Sequence, residues 1–383
     1  PPPLTAARPR PLFPDAPERP CDPNTHLLRG GPRNEHPCSV LIISAGAMPH
    51  WLVHRPTDYG HQVPPTPSLI ADADMQVIEV GSIDAISQHI NKLRGRVTLV
   101  GEIQQPQDGH GIEAINAPAV LNQLNEQRTR KTSWEVENMR IASSAAARGH
   151  RAAAASFHAG GSEYDIQLAF RTACWKTDAE LPYPAIVALN RNAATLHYQR
   201  LERIPTQHLS LLIDAGSSHL GYASDITRTH SDDPDFGALI ADMHQLQLTL
   251  CAAARPNTDY RDLHHAAHLA IAELLHNADV IKASPEAAVK HGLTRSFYPH
   301  GLGHFLGLQV HDVGALYTRR TAADPPAAGE DKHLRLTRVL EPGNVLTIEP
   351  GIYFIDPLLE ELQASKHDQH INWPRVETTK PFG

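Results

Sequence analysis

The chain has 383 residues, 41% hydrophobic and 20% charged, with a net charge of −8, the make-up of a globular protein with room for two domains, each with its own core. The acidic balance and the lack of a basic run argue against a nucleic-acid partner or an anionic membrane surface. No stretch approaches ~18 uninterrupted apolar residues, so no membrane-spanning helix is expected.

Residues 1–20 hold eight prolines and suggest an extended or disordered arm without the apolar core of a signal peptide. From Pro37 the pattern changes. CSVLIISAG, WLVHR and MQVIEVG read as strands, IDAISQHINKL as a helix and RVTLVGE as a strand. This alternation predicts a small α/β domain over residues 1–125. A polar boundary follows, and Thr132-x-x-Glu135 forms a capping-box pattern that opens an alanine-rich helix through Phe157. Gly160 and Gly161 end that helix, and Ser162-x-x-Asp165 opens the next. IVALN, TLHYQ and LSLLID read as strands, and Leu263, Ala267, Ala270 or Ile271, and Leu274 fall at helical spacing. Residues 126–383 therefore read as a larger α+β domain. Cys21, Cys38, Cys174 and Cys251 show no C-x-x-C spacing and are expected as reduced thiols of a cytoplasmic protein.

Four stretches could carry chemistry. In LLIDAGSSHLGYASDITRT, Asp214 ends an apolar run and Asp225 sits in the next strand-like run. Both suit turn or N-cap aspartates. Across a hairpin they could equally reach one point, where a divalent cation is the simplest partner. In VLTIEPGIYF, Glu349 closes a strand-like run before Pro-Gly, either as a salt-bridge or turn residue or as a site carboxylate. YPHGLGHFLGLQVHD holds His300, His304 and His311 among glycines that argue against a helix. Extended backbone there would project imidazoles into a shared cleft, as neutral ligands or acid–base groups. His197 in TLHYQ is a weaker candidate by itself. His264 and His268 have the i,i+4 spacing common in zinc sites, but without H-E-x-x-H they are expected on a solvated helix face.

In this order, D-(x)10-D, H-G-x-G-H-(x)6-H-D and T-I-E-P-G-x-Y resemble the pita-bread metallopeptidases. ALNRNAATLHYQRLE, EPGIYFIDPLL and HINWPRVETTKPFG are most similar to the bacterial Xaa-Pro dipeptidase (prolidase) subfamily, which is related to the organophosphorus acid anhydrolases. The resemblance implies an α+β fold: a C-terminal pita-bread domain over 126–383, preceded by a smaller creatinase-like α/β domain. It implies two divalent cations, manganese before cobalt or zinc, sharing a bridging hydroxide that attacks the carbonyl preceding proline. Asp214, Asp225, His304 and Glu349 are the implied ligands, with Asp225 bridging, His304 on one ion and Glu349 also the acid–base carboxylate. His197, His300 and His311 are the implied substrate-site histidines, His300 and His311 also catalytic. Tyr183 and Tyr260 are implied to line the pocket. An Xaa-Pro dipeptide substrate, a second activity on organophosphate esters and a homodimer are implied too. The family's fifth ligand, a glutamate in G-I-R-x-E-D-N after K-P-F-G, falls beyond Gly383, so a piece of a longer chain is expected. An aminopeptidase P-type exopeptidase and a non-hydrolytic binding module are the alternatives.

Overall fold

The computed structural model describes residues 4–5, 39–57, 75–93, 95–101, 112–204, 207–316 and 333–383. Two compact units divide the chain, Pro1–Arg128 and Thr129–Gly383. Most of the proline-rich arm, with Cys21 and Cys38, lies outside the described residues; Cys174 and Cys251 are free thiols. No described helix is long and apolar enough to cross a membrane.

In the first unit, β1 (Leu4–Thr5), β2 (Val40–Ile42), β3 (His50–His54) and β4 (Gln76–Val80) form one sheet in that order. β3 and β4 are parallel and the other pairs antiparallel. The side-chain period of two sends Leu41, Trp51 and Val53 to one cluster and Val40, Ile42 and Leu52 to another. Both faces are therefore covered, which is why VLI and WLV are unbroken apolar runs. α1 (Ile83–Asn91) begins at Ser82, whose hydroxyl accepts the Ala85 N–H, and buries Ile86 against the second cluster. β5 (Val97–Leu99) and β6 (Ile112–Ile115) make a separate parallel pair, and α2 (Pro118–Arg128) follows.

The second unit opens on two capped helices. Thr132 N–H donates to Glu135 Oε2 at 2.7 Å and Glu135 N–H to Thr132 Oγ1 at 3.3 Å, starting α3 (Ser133–His158). Ser162 and Asp165 do the same for α4 (Glu163–Cys174). Ala146, Ala153 and Phe157 of α3 share a core with β7 (Ile186–Leu189) and β8 (Leu211–Asp214). A hairpin of β9 (Ser218–His219) and β10 (Tyr222–Ala223) leads to β11 (Thr227–His230), and β8 pairs antiparallel with β11 on one side and β7 on the other. α5 (Pro234–Ala253), α6 (Tyr260–Asn277), α7 (Pro285–Lys290), α8 (Asp356–Gln363) and α9 (Trp373–Thr379) complete the unit. Leu263, Ala267 and Ile271 of α6 form a second core with Phe297, Leu302, Phe305 and Phe354.

Three expectations change. His264 and His268 are 3% and 5% exposed, so that face of α6 is not solvated. They flank the apolar stripe, and a following segment covers them: His268 Nδ1 lies 2.9 Å from Thr294 Oγ1, and its ring 4.9 Å from Tyr298. TLHYQ is a turn after the 3₁₀ segment Asn190–Ala194, not a strand. VLTIE is extended but irregular, with one isolated bridge, Phe305 to Leu346.

His150 on α3 puts Nε2 3.0 Å from Ala215 O. Burial pushes this imidazole from its ordinary 6.5 down to about 4. Its folded pKa lies below the unfolded one, so protonation favours the unfolded chain. That contribution is intact above about pH 6.5 and drains away as pH falls toward 4, by roughly 3 kcal/mol at most. Denaturant titrations at pH 7 and pH 5 should show a smaller loss of stability in His150→Gln than in the wild type. Equal losses would refute the assignment.

Candidate metal centre

Asp214 ends β8, and Asp225 precedes β11 by two residues. The β8–β11 register continues past Asp214, with Ala215 N–H donating to Ile226 O at 3.0 Å, so the hairpin brings both carboxylates to one end. Tyr183 Oη lies 2.7 Å from Asp214 Oδ1 and 2.9 Å from Asp225 Oδ1. A hydroxyl has one proton to donate, so the two acids share it. Burial, reinforced by the neighbouring Asp225 charge, pushes the Asp214 carboxyl well up. Tyr183 also rises, first through burial and then through the two carboxylates.

His304 and Glu349 come from two antiparallel extended segments, 302–306 and 345–349. Leu306 N–H donates to Val345 O at 3.0 Å, Thr347 N–H to His304 O at 2.9 Å and Glu349 N–H to Leu302 O at 2.8 Å. The approach needs Gly303: a Cβ there would stand 2.4 Å from Thr347 O and 2.6 Å from Tyr260 Oη. His304 Nδ1–H donates to Phe305 O at 2.9 Å, which turns Nε2 toward Glu349 Oε1 at 3.0 Å and Asp225 Oδ2 at 3.3 Å. Thr347 Oγ1 donates to Glu349 Oε1 and accepts His304 N–H. Burial by itself would lower the His304 pKa, but Glu349 and Asp225 outweigh it and raise it. Burial likewise favours a neutral Glu349, and the His304 charge reverses that, holding the carboxyl low.

Among the described residues, Asp225, His304 and Glu349 bring one ligand atom each within 4.8 Å of one another. Two carboxylates thus converge on the His304 imidazole, and Asp214 joins through Tyr183. The donor set fits a divalent cation, which would replace a proton on that ring. Carboxylates with one imidazole suit manganese better than a thiolate site would.

The other histidines stand around this centre. The His311 ring is 4.3 Å from that of His304, edge to face. Burial, followed by the charges at His304 and Arg335, takes its pKa down to about 2, so it is a neutral imidazole. Arg335 Nη1 is 2.7 Å from the His311 ring nitrogens. His300 donates Nδ1–H to Gly301 O at 2.9 Å and places Nε2 3.2 Å from Tyr353 Oη. His197 is exposed, and Glu163 fixes its turn by accepting the Leu189 and Glu202 N–H groups and the Tyr198 hydroxyl. Tyr260 is fully buried and donates to Thr347 O at 2.8 Å. It thereby supports the segment that carries Glu349. Thr347, Tyr353 and Arg335 were not singled out from sequence. The first two lie inside the VLTIEPGIYF stretch, whereas Arg335, 24 residues from His311, has no local signal.

The family model described as metallopeptidase family M24 matches residues 137–373. The chain belongs to metallopeptidase family M24. A second family model, described as the Xaa-Pro dipeptidase N-terminal domain, matches residues 4–125 of this M24 chain. An Xaa-Pro dipeptidase from Pseudoalteromonas atlantica is 42% identical to it, over 91% of this chain and 80% of the relative. One from Xanthomonas euvesicatoria pv. vesicatoria is 44% identical, over 92% and 80%. Among solved structures, aminopeptidase P from E. coli in its low-pH form aligns with TM-score 0.67 at 23% identity, over 92% of this chain and 83% of that one. Pseudomonas aeruginosa aminopeptidase PepP aligns with TM-score 0.66 at 25% identity, over 92% and 82%. The M24 chain therefore has a smaller N-terminal domain followed along the sequence by the pita-bread domain, and is a metal-dependent hydrolase.

Proposed function

We propose that this chain is an Xaa-Pro dipeptidase whose Asp214, Asp225, His304 and Glu349 hold two divalent cations, manganese ahead of cobalt or zinc. The observation that carries the reading is the convergence of Asp225, His304 and Glu349 in a chain whose relatives are Xaa-Pro dipeptidases. When bound, such cations supply Lewis-acid polarisation of the scissile carbonyl and activation of water.

The chain's own groups do the rest. Asp225 directs one oxygen toward His304 and the other toward Tyr183, and would be the carboxylate that serves both ions. Glu349, steadied by the Thr347 hydroxyl, is the carboxylate that takes a proton from water and passes it to the leaving proline nitrogen. That nitrogen is a tertiary amide and leaves only once protonated. His311, neutral and next to Arg335, donates toward the developing oxyanion. His300, braced by Tyr353, and His197 on its exposed turn would hold the substrate's ends. Organophosphate ester hydrolysis would draw on the same centre. A homodimer is a proposal carried by the family resemblance, which a sedimentation mass checks, and a cytoplasmic location is one carried by the cysteine usage.

Chain-length dependence tests the assignment. With Mn2+ present, Gly-Pro should be hydrolysed in preference to Gly-Pro-Xaa tripeptides. Preference for the longer peptides would make the chain an aminopeptidase P-type enzyme, and hydrolysis of neither would leave a binding module.

A further inference from the structure

Lys131 and Asp312 form an ion pair inside the second unit, with Nζ and Oδ2 2.9 Å apart and each side chain 1% exposed. Such a pair contributes little net stability, because desolvation offsets the attraction, yet losing one partner is severe. Its surroundings point to another use.

The Asp312 N–H donates to Phe305 O at 2.9 Å. The same carbonyl accepts His304 Nδ1–H and so sets the angle of that ring. Asp312 is also the chain neighbour of His311, whose ring packs 4.3 Å from His304. Lys131 closes the other side. Its ammonium lies 5.6 Å from the centre of the Phe305 ring, and its backbone N–H donates to Gly343 O at 2.7 Å, just before the segment that carries Glu349. The loop from 305 to 312 fits closely around the pair: a Cβ on Gly307 would stand 2.2 Å from Asp312 Oδ2 and 2.9 Å from Lys131 Cε.

The geometry points to the Lys131–Asp312 pair as a positioning element of the metal centre: it holds the Phe305 carbonyl that orients His304 and the backbone that presents His311. The inference rests on the reading of His304 as a metal ligand. Neither Lys131 nor Asp312 is among the proposed ligands or substrate-site residues; both act through the two histidines.

Lys131→Met leaves a buried carboxylate unpaired and is expected to lose much of its stability. The deciding variant is Lys131→Met/Asp312→Asn, which removes both charges, keeps both shapes and respects the tight contact at Gly307. It should melt above Lys131→Met and near the wild type. Its Mn2+ affinity by equilibrium dialysis should nevertheless fall by about 10-fold or more. In the metal-free protein, the His304 Nδ1 proton should exchange with solvent faster than in the wild type, as read by 15N-labelled histidine NMR. A folded double variant with wild-type Mn2+ affinity and wild-type exchange overturns the inference and leaves the pair merely structural. A double variant that does not fold overturns it too, since the pair is then needed by the core rather than by the ring. Failure of the metal reading looks different: the wild type then binds no Mn2+, while the exchange of the His304 proton still reports on the pair.

Discussion

Asp225→Asn is expected to lose its divalent metal and its dipeptidase activity to a greater extent than Asp214→Asn. Asparagine keeps the shape and removes the charge, so the two variants compare ligand roles rather than packing. Asp225 Oδ2 belongs to the three-donor cluster with His304 and Glu349, and its other oxygen faces Tyr183. Asp214 stands outside that cluster and reaches it through the shared tyrosine hydroxyl. A carboxylate that serves both ions disrupts both when neutralised, whereas a terminal one disrupts its own. Lewis-acid stabilisation is worth several kcal/mol, so Asp225→Asn should lose roughly 10³-fold or more in kcat/KM. Elemental analysis and Gly-Pro kinetics on both variants check it. Wild-type metal content and rate in Asp225→Asn would remove the bridging assignment.

His304→Ala and His311→Ala should separate into two phenotypes although their rings touch. His304 turns Nε2 into the carboxylate cluster, so its loss should lower metal occupancy along with the rate. His311 faces Arg335 and the His304 ring edge, outside the ligand set. Its alanine variant should keep the metal and lose turnover by ~10²–10³, the scale of one oxyanion donor. Metal loss in His311→Ala with retention in His304→Ala would reverse the two roles. Equal metal content and unchanged kinetics in both would reduce the histidines to hydrogen-bonding residues of a glycine-rich turn.

The parts of this site that were legible in the sequence are those written in short spans. Thr132 with Glu135 and Ser162 with Asp165 announce helix starts because a capping box closes within four residues. The glycines around His304 rightly argue against a helix, since Gly303 is where Thr347 and Tyr260 press closest. What failed depended on neighbours distant in the chain. Periodicity put His264 and His268 beside the apolar stripe of α6, but Thr294 and Tyr298, which bury them, come from a later segment. TLHYQ and VLTIE have β-like composition, yet Glu163 winds the first into a turn and the second pairs irregularly with 302–306. Arg335 and Lys131 gave no local signal. Lys131 meets Asp312 across 181 residues, a separation that no motif spans.

Asp225, His304 and Glu349 converge, and are proposed to hold the metal that makes this chain a dipeptidase. Metal per chain, measured by elemental analysis after Mn2+ loading and desalting and read beside Gly-Pro turnover, tests that role most directly. The wild type should carry two ions per chain, with turnover lost on chelation and restored by Mn2+, and Glu349→Gln should show far less metal and turnover. Undiminished hydrolysis in the chelated protein, or full metal content in Glu349→Gln, would contradict that role.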